Sequence, residues 1–393
     1  MIARLIDKGP NSPAPAHGCL RRVHVADSPR AGGRLLGLAG ALVAGLAAVA
    51  AAAAPPPTAT ERGAPRPSRK AAFALDGSVM SGIWLDGGRV LLLHSFGPYR
   101  LARVLPDGRA EPAVTFPTEE HPEFLPSWPI AAGPDGGVWL ATGHAILRLD
   151  RSLHEEGFVD LRKLSFPDCQ SLVGLVQPQV MPGAVVGLAA CTQPGTPGFP
   201  VFGYAHLQLE PTPVLTPLRA LAEATNEGGL AWLVPALAQV DGEVFALVFE
   251  GGPHLERVFP GTHRLRSFPP GFAEVPVIPR RGSNPQLECA RRFEAASMAA
   301  GLYAEGDRLY LLTRRPAGDA TAWSLHRIDA TRDTLEATIP LPTTAPHLVV
   351  VPGPREWAFV EQEVNVVTNR GKRTRRILFI PARELRRAPR TND

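Results

Sequence analysis

The stretch Gly133–Asp150, GPDGGVWLATGHAILRLD, decides the fold. Asp135-Gly136-Gly137 between apolar runs is the strongest short-range hairpin signal that a sequence carries. VWLAT reads as the strand after that turn, Gly143 as a second turn, and AILRLD as the next strand. Working outward, the same unit recurs. RVLLLHS (89–95), AVVGLAAC (184–191), EVFALVFE (243–250), RLYLLTRR (308–315) and EWAFVEQE (356–363) each follow a turn and precede another extended piece. The turn glycines Gly88, Gly137, Gly183, Gly242, Gly306 and Gly353 stand 49, 46, 59, 64 and 47 residues apart. Most copies add a fourth extended piece: AVTFP, LRKLSFP, VLTPL, LRSFPP and EATIPLP.

A four-stranded propeller blade takes about 40–50 residues, so six copies at this spacing read as six blades, the third and fourth carrying insertions. A sheet that is apolar on both faces cannot stand alone in water, and radial stacking buries both faces while leaving only short edges. The expected fold is therefore all-β: a six-bladed β-propeller of four-stranded antiparallel blades over residues 71–388. The sixth copy lacks a fourth strand before RELRRAPRTND, and AAFALD (Ala71–Asp76) has no partner before the first, so this N-terminal strand is expected to close the ring. A β-sandwich is the competing arrangement of short alternating strands. Six matched units in register favour the ring.

Of the 393 residues, 45% are hydrophobic, enough for a large core. The 42 prolines cluster at strand ends and in loops. Residues 1–34 are basic and are expected to be a disordered N-terminal segment, and Leu35–Ala54 is twenty uncharged residues, ten of them alanine. That run is expected to be a single apolar helix, either a cleaved signal peptide or a signal-anchor. A proline-rich linker (55–70) follows, and 389–393 is a tail. Both readings of the run place the propeller outside the cytoplasm, periplasmic or secreted, with membrane attachment if the run is uncleaved. Net charge is +4, and the best basic block, GKRTRR (Gly371–Arg376), lacks interleaved aromatics, so nucleic acid is not an expected partner. GKRTRR reads as a solvated hairpin tip between two strands.

Cys169 precedes the first strand of the third copy, and Cys191 ends its second. In an antiparallel pair these positions lie side by side, within disulfide range. A Cys169–Cys191 disulfide is expected, with two buried thiols as the alternative. Cys289 is then left over.

Connections between second and third strands, and between blades, share one face around the central channel. Six residues are candidate ligand contacts there: His94, Tyr99, His144, His254, Arg291 and Arg314. A divalent metal would draw instead on His94, His121, His144, Glu119 and Glu123, since imidazole and carboxylate suit such an ion. No other cofactor is expected. The connection Pro269–Ser297 is unusually long and carries Arg280, Arg281, Arg291 and Arg292. It is expected to lie over this face, with a short helix in ECARRFEAASM. Neither a nucleophile elbow nor a phosphate loop occurs.

The PDGGVWLATGHAILRLD core resembles NHL-type and sensor-propeller repeats, in which a DG turn leads into a hydrophobic-Trp strand and a short strand ending near Asp. Such repeats sit on binding modules and enzymes alike. Among enzymes, the chain is comparable with gluconolactonase-like hydrolases, which use an early Glu in a Glu-Gly-Pro context. Here GSVMSGIWLDGG and IAAGPDGG lack that Glu. Virginiamycin B lyases use an inter-blade His and Glu that do not align with His144 or His254. The leading expectation is a monomeric, non-catalytic module binding a protein, peptide or glycan through the loop face. The alternatives are a metal-dependent hydrolase or lyase at the channel mouth and, less directly, an extracytoplasmic sensor.

Overall fold

The computed structural model describes residues 64–76, 78–96, 100–105, 109–115, 126–142, 144–166, 169, 171–192, 201–220, 236–249, 252–272, 296–362 and 372–388. These residues form a six-bladed β-propeller. The first strand, β1, is Arg69–Asp76. Blade one holds β2 (Ser78–Leu85), β3 (Val90–Phe96), β4 (Arg100–Val104) and β5 (Ala110–Thr115). Blade two holds β6 (Pro126–Ala132), β7 (Val138–Thr142), β8 (Ala145–Leu149) and β9 (Glu155–Asp160). Blade three holds β10 (Ser171–Met181), β11 (Ala184–Thr192), β12 (Val201–Gln208) and β13 (Val214–Ala220). Blade four holds β14 (Leu237–Val240), β15 (Glu243–Val248), β16 (His254–Phe259) and β17 (His263–Arg264). Blade five holds β18 (Met298–Glu305), β19 (Arg308–Ala317), β20 (Ala320–Asp329) and β21 (Thr334–Pro340). Blade six holds β22 (His347–Val351), β23 (Glu356–Gln362) and β24 (Lys372–Pro381), with β1 as its outer strand, in the order β1-β24-β23-β22. The ladder between β1 and β24 runs antiparallel from Arg69 opposite Phe379 to Asp76 opposite Lys372.

The core is divided among the seams between blades. Ile83 and Leu92 of blade one meet Val138 and Leu147 of blade two, and Trp139 and Ile146 meet Leu175 and Val185 of blade three. Val186 and Tyr204 meet Val244 and Val258 of blade four. Phe245 and Leu255 meet Leu309 and Ile328 of blade five, and Tyr310 and Leu325 meet Trp357 and Leu378 of blade six. Phe73, Val360, Ile377 and Phe379 meet Val79 and Leu91 of blade one. Alternate side chains of one strand therefore serve different seams. This explains why the strands read as near-continuous apolar runs, and why VWLAT is buried along its whole length.

The recurrent turns use glycine where the backbone demands it. Gly242 follows Asp241, and both have positive φ, 80° and 49°, the signature of a two-residue hairpin turn. In blade two the left-handed residue is Gly136 (φ 80°) and not Gly137. Gly353 serves a different need. A Cβ there would stand 2.5 Å from the Trp84 ring, so its role is close approach between blades six and one.

Several sequence expectations are corrected. The fourth strand of blade two is EEGFVD, and within LRKLSFP Leu161–Lys163 is a 3₁₀ turn capped by Asp160, whose carboxylate accepts from Arg162 N. The fourth strand of blade four is only His263–Arg264, ahead of LRSFPP. Lys372–Arg376 is not a solvated hairpin tip. It is the start of β24, and Arg375 is 1% exposed because β1 pairs alongside it. The segment ARELRR forms a short helix, α1 (Ala382–Arg387). The apolar run Leu35–Ala54 and the stretch ECARRFEAASM up to Ala295 lie outside the described residues.

Candidate functional site

All six inner strands run in the same sense along the channel, so the two ends of the ring differ. At one face lie the turns 86–89, 133–137, 182–183, 241–242, 306–307 and 352–355, each two to five residues long. The opposite face joins strand ends through 116–125, 193–200, 221–236, 265–297 and 363–371. The first is the turn face and the second the loop face.

Polar side chains near the loop face tie blades together. Gln362 at the end of β23 clasps the Val79 backbone of blade one, accepting from its N–H at 3.0 Å and donating to its carbonyl at 2.9 Å. Ser81 Oγ accepts from Ile130 N–H of blade two at 3.1 Å, and Gln177 Oε1 accepts from Ala236 N–H before β14 at 2.6 Å. Gln177 reaches that position from a bulge in β10 where its own φ is 54°. Each of these three backbone N–H groups is thereby satisfied by a side chain of a neighbouring blade.

The expected contact residues fall into different places. His144 sits in the turn between β7 and β8 at φ 72°, a left-handed conformation that costs a non-glycine residue about 1–3 kcal/mol. Its buried Nδ1 has no hydrogen-bond partner among the described residues. His254 begins β16 and is buried, with Nδ1 donating to Gly252 O at 2.8 Å and Nε2 3.5 Å from Glu256 Oε2. Glu256 also meets Arg219 Nε of blade three at 3.3 Å, so His254 belongs to a buried Arg–Glu–His seam. Arg314 is 2% exposed, stacks over Trp323 at 5.8 Å and donates to Thr321 Oγ1 at 3.5 Å. His94 lies in β3 opposite Ser81 and Leu101, and its side chain is outside the described residues. Tyr99, Glu119, His121, Glu123 and Arg291 are outside them too. Among the described residues no three His, Cys, Asp or Glu side chains are grouped to hold a metal.

Sequence reasoning passed over the polar chain of blade five. His326 Nε2 meets Thr313 Oγ1 at 2.9 Å, and Nδ1 meets Thr338 Oγ1 at 3.0 Å. Phe272 packs edge-on against the imidazole at 6.1 Å, and Arg315 lies over Phe272 at 4.8 Å. Burial, with the Arg315 charge second, pushes His326 down to about 4. In the sequence it is one polar residue in an alternating strand, and nothing local distinguishes it.

A cavity of about 370 Å³ occupies the channel. It is lined by Met80, Ile83, Leu237, Leu302, Tyr303 and Val349, with Ser81, Gln179 and Gln239 as polar members. These residues come mainly from the ends of the inner strands nearest the turn face, and the candidate residues above are not among its lining. Burial raises the Tyr303 hydroxyl well above its ordinary value.

The disulfide expected from the sequence is present. Cys169 and Cys191 are joined, with Cα atoms 5.6 Å apart, which fastens the entry of β10 to the end of β11.

No protein-family model matches the chain, and no curated protein does. Solved structures similar to it include a DUF4221-family member from Bacteroides vulgatus, at 10% identity and a TM-score of 0.49, with 80% of this chain and 96% of that one covered. Another is a gluconolactonase from Xanthomonas campestris, at 12% identity and a TM-score of 0.48, with 80% of this chain and 91% of that one covered.

Proposed function

We infer that the protein is an exported binding module that takes a protein, peptide or glycan on its loop face without catalysing a reaction. The asymmetry of the connections carries this reading. The turn face is built from minimal turns, while the long segments 193–200, 221–236, 265–297 and 363–371 all join strand ends at the other face. Binding loops on a rigid scaffold are the usual division of labour, and the Gln362, Ser81 and Gln177 bonds supply the rigid rim beneath. The Cys169–Cys191 disulfide supports an oxidising compartment. The test replaces 193–200 or 363–371 by a short Gly-Ser link and compares capture from an extracellular or periplasmic extract with that of the parent chain. A component held by the parent and lost from a loop-face variant is the expected result. Equal capture by all chains, or none by the parent, overturns the reading.

One residue favours a second reading, a metal-dependent hydrolase or lyase at the loop-face mouth. His144 combines a strained backbone with a buried ring nitrogen that no described group bonds. Metal analysis of the purified chain, with a melt before and after chelator, separates the two. A stoichiometric ion lost together with stability would favour the enzyme.

A further inference from the structure

Two ends of the described chain meet at one rim of the turn face. β1 enters beside the C-terminal end of β24, and Arg66 N–H donates to Glu384 of α1 at 3.1 Å. The helix is joined to the turn after β22, since Ala382 N–H donates to Arg355 O at 2.9 Å. This convergence gathers six exposed cations, Arg66, Lys70, Arg355, Arg383, Arg386 and Arg387, drawn from three separate stretches. The acids nearby are engaged. Glu356 holds Arg69, while Glu305, 3.6 Å from Arg386, and Glu384, which takes the Arg66 backbone N–H, offset two of the six. Glu336 is shared by Arg308 and Arg327, and Asp307, an exposed acid of this rim, pairs with Arg308. The rim therefore carries a surplus of positive charge that faces solvent.

We propose that this rim binds the anionic surface of a lipid bilayer. Charge is the first argument. The second is the chain that leads to the rim: Ala64 is the first described residue, and nine residues, 55–63, separate it in sequence from the uncharged run Leu35–Ala54. A basic patch in a chain that also carries an apolar run is the usual two-part arrangement for holding a protein at an anionic membrane. The proposal is independent of the loop-face reading, which concerns the opposite end of the ring.

The test uses residues 64–393, which contain all six sheets and lack the apolar run, so that any membrane binding belongs to the rim. Flotation with vesicles of phosphatidylglycerol and phosphatidylcholine is compared with flotation on pure phosphatidylcholine, at about 50 mM and about 300 mM salt. Binding to the anionic vesicles alone, released by the higher salt, is expected. The triple variant Lys70→Ala/Arg383→Ala/Arg387→Ala weakens it at least about tenfold. Lys163→Ala/Arg264→Ala/Arg266→Ala, which removes the same number of exposed cations from blades two and four, leaves it unchanged and controls for net charge. The removed side chains are exposed, and an unchanged thermal melt checks that folding is kept. Absence of binding at low salt overturns the proposal, as does equal weakening by the two variants. Retention on heparin without vesicle binding also overturns it, and points to a soluble polyanion.

Discussion

His326 shows what burial in a blade does to a titratable side chain. Both ring nitrogens are occupied by threonine hydroxyls, Phe272 covers the ring, and Arg315 adds a repelling charge. The imidazole is held neutral, down to about 4 from an ordinary 6.5, because burial penalises the charged form. Below about pH 6.5 the unfolded chain takes up a proton that the folded one refuses. Stability is therefore full above that range and falls as pH drops toward 4, by up to about 3 kcal/mol. Urea midpoints of the parent and of His326→Gln, taken from about pH 7 to about pH 4.5, should diverge, with the variant losing less. Parallel curves would show that this histidine does not set the slope. Gln362 illustrates a different case: a buried amide that gives and takes one bond each with the Val79 backbone.

At the scale of the element, blade three carries a covalent staple. The bridge from Cys169 to Cys191 closes 22 residues of sequence and ties the approach to β10 onto β11. Cross-links of this span restrict the unfolded chain and typically contribute about 2–4 kcal/mol. Cys169→Ser is expected to lower unfolding stability by about 3 kcal/mol, and reductant should do the same to the parent but nothing further to the variant. A variant as stable as the parent would mean that the ladders β10–β11 and β11–β12 hold the blade unaided.

At the scale of the molecule, the ring is joined where its first strand meets its last. β1 covers β24 along eight positions and places Phe73 in the seam between blades six and one, against Ile377 and Phe379. A chain beginning at Ser78 would lose that ladder and expose this seam. It is expected to be destabilised by at least about 4 kcal/mol, the range for emptying one large core side chain. A melt of that chain should be broad or early, and addition of a peptide of residues 64–77 should restore it in part. A truncated chain with the parent's melt would show that blades one to six close without β1.

Much of the architecture was legible from short-range pattern. Turn glycines at blade spacing, apolar runs after them and an orphan strand at Ala71–Asp76 are local signals, because a hairpin is set by its turn residues and by the residues beside them. The Cys169–Cys191 pair was legible for the same reason, as strand order brings the two positions together. The candidate site was far less so. His254 and Arg314 look like surface polar residues in sequence, yet both are buried, His254 beside Glu256, which reaches Arg219 of blade three, and Arg314 against Thr321 and Trp323 of its own blade. Lys372–Arg376 looks like a solvated tip until a strand some three hundred residues earlier lies down beside it. The sequence alone determined the units and their number, because those depend on contacts within a few tens of residues. Only the tertiary structure decided which polar groups are spent on holding the ring, and which charges are left on its rim, because those depend on which distant strands share a seam.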